Sequence, residues 1–173
     1  MHNFHAVIEL INELIYHPNH LIMDLTREEP QNSGYAAGEF TLSSQAATRT
    51  IRFRVAKTTP TKIGQFVTFW EKDSSGINQP FQYDESPNLL VVTTFKDKNT
   101  FGQFVFPKNT LLKKGILKSD SIKGKMGVRV YPSWETPTSR TAIKTQEWQL
   151  KYFFEVNENA YLPIEKIIAL YHQ

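Results

Sequence analysis

The chain of 173 residues contains no cysteine. That excludes a disulfide framework, a thiol nucleophile and a thiolate metal site. Histidine is missing from the middle of the chain: His2, His5, His17, His20 and His172 all lie near its ends. A Ser-His-Asp arrangement in the central region is therefore excluded. His17 and His20 straddle Pro18, so they lack the helical geometry of a zinc pair. No run approaches the ~20 apolar residues of a membrane-spanning helix. Glu9 and Glu13 interrupt the first apolar stretch, which therefore does not read as a signal peptide. There is no glycine-rich nucleotide loop, since Gly124-x-x-Gly127 with its flanking Lys123 and Lys125 is too short. The expectation is a cytoplasmic protein without a membrane partner.

What is present favours a folded core. Hydrophobic residues make up 40% of the chain and aromatics 13%, with 12 phenylalanines. That composition folds rather than staying disordered, and the length suits one domain spanning residues 1–173. The net charge of +3 is unevenly spread. Residues 1–35 carry five acids (Glu9, Glu13, Asp24, Glu28, Glu29) against Arg27, a balance of −4, which leaves +7 for the remainder. Lys96–Lys125 holds eight lysines opposed only by Asp97 and Asp120. Such lysines on turns keep a sheet soluble, although clustered cations also attract polyanions.

Periodicity predicts the elements. Val7, Leu10, Ile11, Leu14 and Ile15 make Phe4–Tyr16 an amphipathic helix ended by Pro18. Thr26–Ser33 reads as a loop, and strands are predicted at Tyr35–Leu42, Thr50–Lys57 and Gln65–Trp70. Asp73–Pro87 is a long polar connection. Leu89–Phe95, apolar at both parities, is predicted to be a central strand with Phe101–Phe106 as its hairpin partner. A short helix at Lys108–Lys114 and a strand at Gly127–Tyr131 follow. A helix is predicted from Thr138 or Ser139 to about Phe154, and a closing helix at Leu162–Tyr171 with Ile164, Ile167, Ile168 and Tyr171 inward. The fold class is α+β: a mixed sheet flanked by N- and C-terminal helices.

The segment Thr50–Trp70 concentrates the chemistry. Arg49, Arg52, Arg54, Lys57 and Lys62 fall within it or beside it, with no acid between Arg49 and Lys62. The strand period puts Ile51, Phe53, Val55 and Lys57 on one face and Arg52, Arg54 and Ala56 on the other. A lysine on an apolar face needs a partner or a role. Thr58, Thr59, Thr61 and Lys62 supply donors suited to an oxyanion. Tyr131–Lys144 is a second candidate, because Arg129 lies beside Tyr131, and Pro137-Thr138-Ser139-Arg140 joins hydroxyls and a guanidinium to a helix start. Trp70 and Trp134 are candidate stacking residues or core rim. Gly64-Gln65-Phe66-Val67 recurs as Gly102-Gln103-Phe104-Val105, which marks two strand starts.

The phrases RVAKTTPTKIGQFVTFWEK, LLVVTTF, FGQFVFPK and RVYPSWETPTSRTAIKTQEWQLKYF resemble the MepB-like family from about Tyr35 to Phe154. The resemblance implies a small bacterial cytoplasmic protein, a single MepB-like domain over 1–173, with a restriction-endonuclease-like core. Nucleic acid, DNA before RNA, is then the implied partner. Active members of that fold carry acids that hold Mg²⁺ or Mn²⁺ and an acid-x-Lys tripeptide that activates water. This chain departs from the pattern: Val55 stands two before Lys57, and no Asp or Glu stands two before any lysine. Glu39, on a predicted strand, remains as a metal ligand or an ion-pair partner, and Lys57 as the catalytic remnant. Asp84, Glu85 and Asp97 flank the central strand, where turn roles suit them.

Three functional expectations follow. The first is phosphate binding on nucleic acid by Arg52, Arg54, Lys57, Lys62, Arg129, Arg140 and Lys144, without efficient catalysis and without a required cofactor. The second is an Mg-dependent endonuclease using Glu39 and Lys57. The third is a regulatory or adaptor protein whose aromatic surface binds another protein, which a large apolar surface patch would favour.

Overall fold

The computed structural model describes residues 3–157 and 160–173, so His2 lies outside them. Helix α1 (Phe4–Ile11) turns Phe4, Val7, Ile8 and Ile11 inward, and the Asn3 side chain caps it by accepting from the Ala6 N–H. The helical path continues as predicted to Tyr16, but Asn12–Tyr16 winds as a wider π turn. A 3₁₀ turn, His17–Asn19, then closes at His20 in the left-handed region, with φ of 56°.

Eleven strands are described: β1 (Ile22–Glu28), β2 (Gly38–Ser43), β3 (Thr48–Val55), β4 (Lys57–Thr59), β5 (Lys62–Thr68), β6 (Glu71–Lys72), β7 (Asn78–Gln79), β8 (Leu89–Phe95), β9 (Thr100–Pro107), β10 (Gly127–Val130) and β11 (Phe153–Asn157). Six form a mixed sheet in the order β1-β2-β3-β8-β9-β11, in which β3 and β8 run parallel. A smaller sheet has the order β10-β5-β4, and β6 pairs only with β7. The remaining helices are α2 (Lys108–Lys113), α3 (Arg140–Gln149) and α4 (Ile164–Tyr171). The architecture is α+β with a mixed sheet and few helices.

The large sheet separates two apolar clusters. On one side α1 and α4 pack on Phe40, Ile51, Phe53, Val55, Leu89 and Val91. On the other, the small sheet and its neighbours cover Leu90, Val92, Phe104 and Phe106 with Val67, Phe69, Val128 and Val130. Strands β3, β8 and β9 are thus buried on both faces over most of their length, which explains the apolar run of Leu89–Phe95.

Four expectations change. The loop predicted at Thr26–Ser33 is β1 up to Glu28, followed by a 3₁₀ turn, Pro30–Tyr35. β1 is an exposed edge held mainly by β2, so it carries no apolar alternation to read, and a bulge between Asp24 and Arg27 puts Leu25 at φ of 51°. The helix predicted to reach Phe154 stops as α3 at Gln149, and β11 begins at Phe153, where pairing with β9 buries Phe153, Phe154 and Val156. In α4 the inward residues are Ile167, Leu170 and Tyr171, while Ile164, in its first turn, is exposed. Lys57 does not extend the apolar face of β3. The chain crosses at Ala56, whose N–H bonds Thr93 O at 2.8 Å, and Lys57 starts β4 in the small sheet as an exposed residue.

The repeated Gly-Gln-Phe-Val has a shared physical basis. A Cβ at Gly64 would stand 2.7 Å from the Tyr131 ring, and one at Gly102 would stand 2.3 Å from the Phe153 ring. Each glycine makes room for an aromatic ring, Tyr131 just past the end of β10 and Phe153 at the start of β11. Both glutamines are buried: Gln65 donates to Phe95 O, and Gln103 joins Thr93 to Tyr171.

Candidate functional site

The basic residues of β3 and those of the small sheet have opposite surroundings. Arg54 is fully buried. Its Nη2 donates to Glu29 Oε2 at 2.6 Å and its Nη1 to Phe53 O at 2.7 Å. Arg52 donates to Glu29 Oε1 at 3.0 Å and to Glu39 Oε1, and its guanidinium lies 3.5 Å from the centre of the Phe81 ring. Glu39 also accepts from Arg27 at 3.0 Å. Burial lowers the Arg54 pKa, while the adjacent Glu29 carboxylate opposes the shift. Charges this deep persist because each has a partner, and breaking such a pair costs about 3–5 kcal/mol.

This geometry removes Arg52 and Arg54 from the phosphate contacts expected of them, because their donors are spent inside the protein. It also assigns Glu39 an ion-pair role toward Arg52, its cross-strand neighbour, and Arg27. Among the described residues no group of three or more His, Asp or Glu stands close enough to hold a metal ion. With Glu39 already engaged by two guanidinium groups, the donor set does not fit Mg²⁺ or Mn²⁺.

The cations that remain available meet between the small sheet and α3. One cavity of about 340 Å³ is lined by Lys114, Lys125, Arg129, Tyr131, Ser139 and Trp148, among others. An adjoining cavity of about 510 Å³ is lined by Thr61, Lys62, Ile63, Pro137 and Thr138, and shares Arg129, Tyr131, Ser139 and Ala142 with the first. Among the described residues no Asp or Glu lines either. Arg129 is held on its strand by donating to Gly64 O at 3.0 Å and Thr59 Oγ1 at 3.1 Å. Ser139 caps α3, its Oγ accepting from the Ala142 N–H at 3.2 Å. The Gln149 amide closes the open edge of β10: Nε2 donates to Arg129 O and Oε1 accepts from the Tyr131 N–H, each at 2.9 Å. That amide fixes the distance between strand and helix.

Arg140 and Lys144 are exposed on α3, beside the lining residues Ser139, Thr141 and Thr145. Lys57 and Arg129 lie opposite Phe66 from the two flanking strands, so all three share one face of the small sheet. Lys57 Nζ sits 4.6 Å from the Tyr35 ring, and the Arg129 guanidinium 5.6 Å from Phe66. Lys62, Lys57 and Arg129 are therefore gathered around one sheet, whereas Glu39 lines a different cavity with Leu25 and Arg27. Sequence reasoning did not single out Lys114, Trp148 or Gln149, and it met Lys125 only beside a glycine pair too short to count. Their signal was weak: the lysines sit in a stretch that reads as ordinary solvated charge, and Gln149 acts through geometry alone. Trp134 packs against Phe153 at 5.7 Å, and Trp70 is half-buried near Asn32, which bonds its carbonyl.

An α+β chain with a mixed sheet and a cation-lined cleft is the class that these features define. The MepB-like family model matches residues 29–155, and the chain belongs to that family. A crystal structure of MepB is similar throughout: 36% identity, a TM-score of 0.72, 93% of this chain and 100% of that one covered. No curated protein matches. No helix among the described residues is long and apolar enough to cross a membrane.

Proposed function

We propose that the protein binds nucleic acid, DNA before RNA, through its phosphates, at the cleft between the small sheet and α3. The observation that carries this reading is a cleft lined by Lys62, Lys114, Lys125 and Arg129 with no carboxylate among the described residues of its walls. Phosphate contacts of this kind position a strand without reading bases. Arg140, Lys144 and Lys57 extend the positive surface. The helix-first order and the mixed sheet support an endonuclease-like core as the ancestry of the fold. Efficient cleavage is not part of the proposal. Hydrolysis needs carboxylates for metal, and here Glu39 is engaged by Arg27 and Arg52 while Lys57 lies in another sheet. The adaptor reading rests on a smaller feature, the exposed Ile22 and Leu25 on the edge strand β1.

The test is a titration of labelled duplex DNA at ~50 mM salt, together with plasmid incubated with Mg²⁺ or Mn²⁺. Salt-sensitive retention without nicking is the expected result. Absence of retention removes nucleic acid from the proposal, and nicking that disappears in Glu39→Ala or Lys57→Ala promotes the nuclease reading.

A further inference from the structure

The two cavities of the cleft meet at Arg129, Tyr131, Ser139 and Ala142, which line both. Arg129 on β10 and Tyr131 just past its end stand two residues apart, so they project from the same side of the small sheet. Arg129 anchors itself through one nitrogen. Nη1 donates to Thr59 Oγ1, Gly64 O and, at 3.5 Å, Ile63 O, while Nε and Nη2 have no hydrogen-bond partner among the described residues. Tyr131 is likewise fixed at its base and open at its end. Its N–H is taken by Gln149 Oε1, and its ring rests against Gly64, where a Cβ would stand 2.7 Å away. Among the described residues no hydrogen bond reaches its hydroxyl, and no second ring or cation pairs with its ring.

Trp148, the other aromatic residue of the lining, is already occupied. Its ring meets Phe106 at 5.3 Å and Tyr152 at 6.3 Å, and Lys114 Nζ stands 5.2 Å from its centre. Of the two rings, Tyr131 is therefore the one available to stack, and it stands next to an arginine with donors to spare. The size of the recess matters as well. At about 340 and 510 Å³ the two cavities are on the scale of small-molecule sites. A duplex keeps its bases stacked inside and offers phosphates and groove edges, so it fills such a recess only if a nucleotide leaves the stack. A single strand carries bases that already splay out and stack on aromatic side chains.

We infer that the cleft takes single-stranded nucleic acid in preference to duplex, with an unpaired base stacked on Tyr131 and the adjoining phosphate held by Arg129. The inference rests on the cleft being a phosphate site and adds the form of the strand that enters it. Every base has a π-face, so stacking on Tyr131 brings no sequence preference. A duplex is left to the exposed cations Lys57, Lys62, Arg140 and Lys144, which it reaches without entering the recess.

The test compares three fluorescein-labelled probes at ~50 mM salt: a polythymidine strand, a duplex of the same length, and an abasic strand with the same phosphates and no bases. The polythymidine strand is expected to bind at least ~10-fold more tightly than either of the others. Tyr131→Leu is expected to remove that margin and to leave the affinity for the abasic strand unchanged, whereas Tyr131→Phe, which keeps the ring, retains the margin. A merely structural role for Tyr131 would weaken the polythymidine and abasic strands alike, which overturns the inference. If the leucine variant fails to fold, the ranking of the three probes on the unaltered protein decides. Salt-sensitive binding in which the duplex or the abasic strand equals polythymidine overturns the inference and leaves the phosphate site standing. Binding of none of the three removes both.

Discussion

Arg52 and Arg54 on β3 and Arg129 on β10 occupy similar settings in the sequence, each alternating with apolar residues along a short strand. Their outcomes are opposite. The β3 pair is buried with Glu29 and Glu39, while Arg129 faces a cleft that no acid lines among the described residues. What separates them is where the counter-charges fold. Glu29 comes from the acidic first 35 residues and meets β3 in space. The cations that line the cleft have no carboxylate beside them among the described residues. Positive charge is therefore paired inside the large sheet, by Glu29 and Glu39, and left unpaired by carboxylates at the cleft.

The largest effect is expected where the pairing is broken. Glu29→Ala leaves Arg54 and Arg52 without their shared carboxylate in the interior. A loss of about 3–5 kcal/mol, read from the urea midpoint, is expected. Arg129→Ala, by contrast, removes a half-buried residue at a cleft and should cost no more than about 1 kcal/mol. Equal losses from the two substitutions would erase the distinction between the two regions.

A smaller change comes from packing. Gly102→Ala places a Cβ 2.3 Å from the Phe153 ring and 2.8 Å from Phe154 O, so about 1–3 kcal/mol is expected. Gly76→Ala meets no atom within 4 Å, and its cost comes from the φ of 80° alone, at about 1 kcal/mol. Thermal unfolding of the two variants side by side checks the order.

The smallest effect is alkaline. Tyr16 and Tyr171 are hydrogen-bonded to each other at 3.1 Å, and burial raises both phenol pKa values. The folded state therefore keeps protons that the unfolded chain releases above about pH 10, so stability falls as pH rises beyond that point. Tyr16→Phe is expected to give a shallower fall. An unchanged slope would mean that Tyr16 does not contribute to it.

Much of the fold was legible. Leu89–Phe95 and its hairpin, the short α2 and the alternation of Gly127–Tyr131 follow from apolar periodicity and turn residues. β1 and β11 were not. The first is an exposed edge without a pattern, and the second follows a helix with only a 3₁₀ turn between them. The positive charge of the site was legible, but its division was not. Nothing local to Arg52 or Arg54 shows that Glu29 will reach them, because that contact spans more than twenty residues of chain and a second strand. Lys57 was misplaced for a similar reason, since a strand that changes sheet at Ala56 keeps its alternating sequence while its surroundings change.

The most direct measurement is the salt dependence of duplex DNA binding for the unaltered protein, for Lys62→Glu/Arg140→Glu, and for Arg52→Lys. Each phosphate contact contributes about −0.9 to the slope of log K against log salt. The double reversal is expected to reduce the slope by about 2 while circular dichroism stays unchanged, and Arg52→Lys, which alters only the buried cluster, to leave the slope as it was. A slope that is insensitive to Lys62 and Arg140 but changes with Arg52 would contradict the division between paired and available cations.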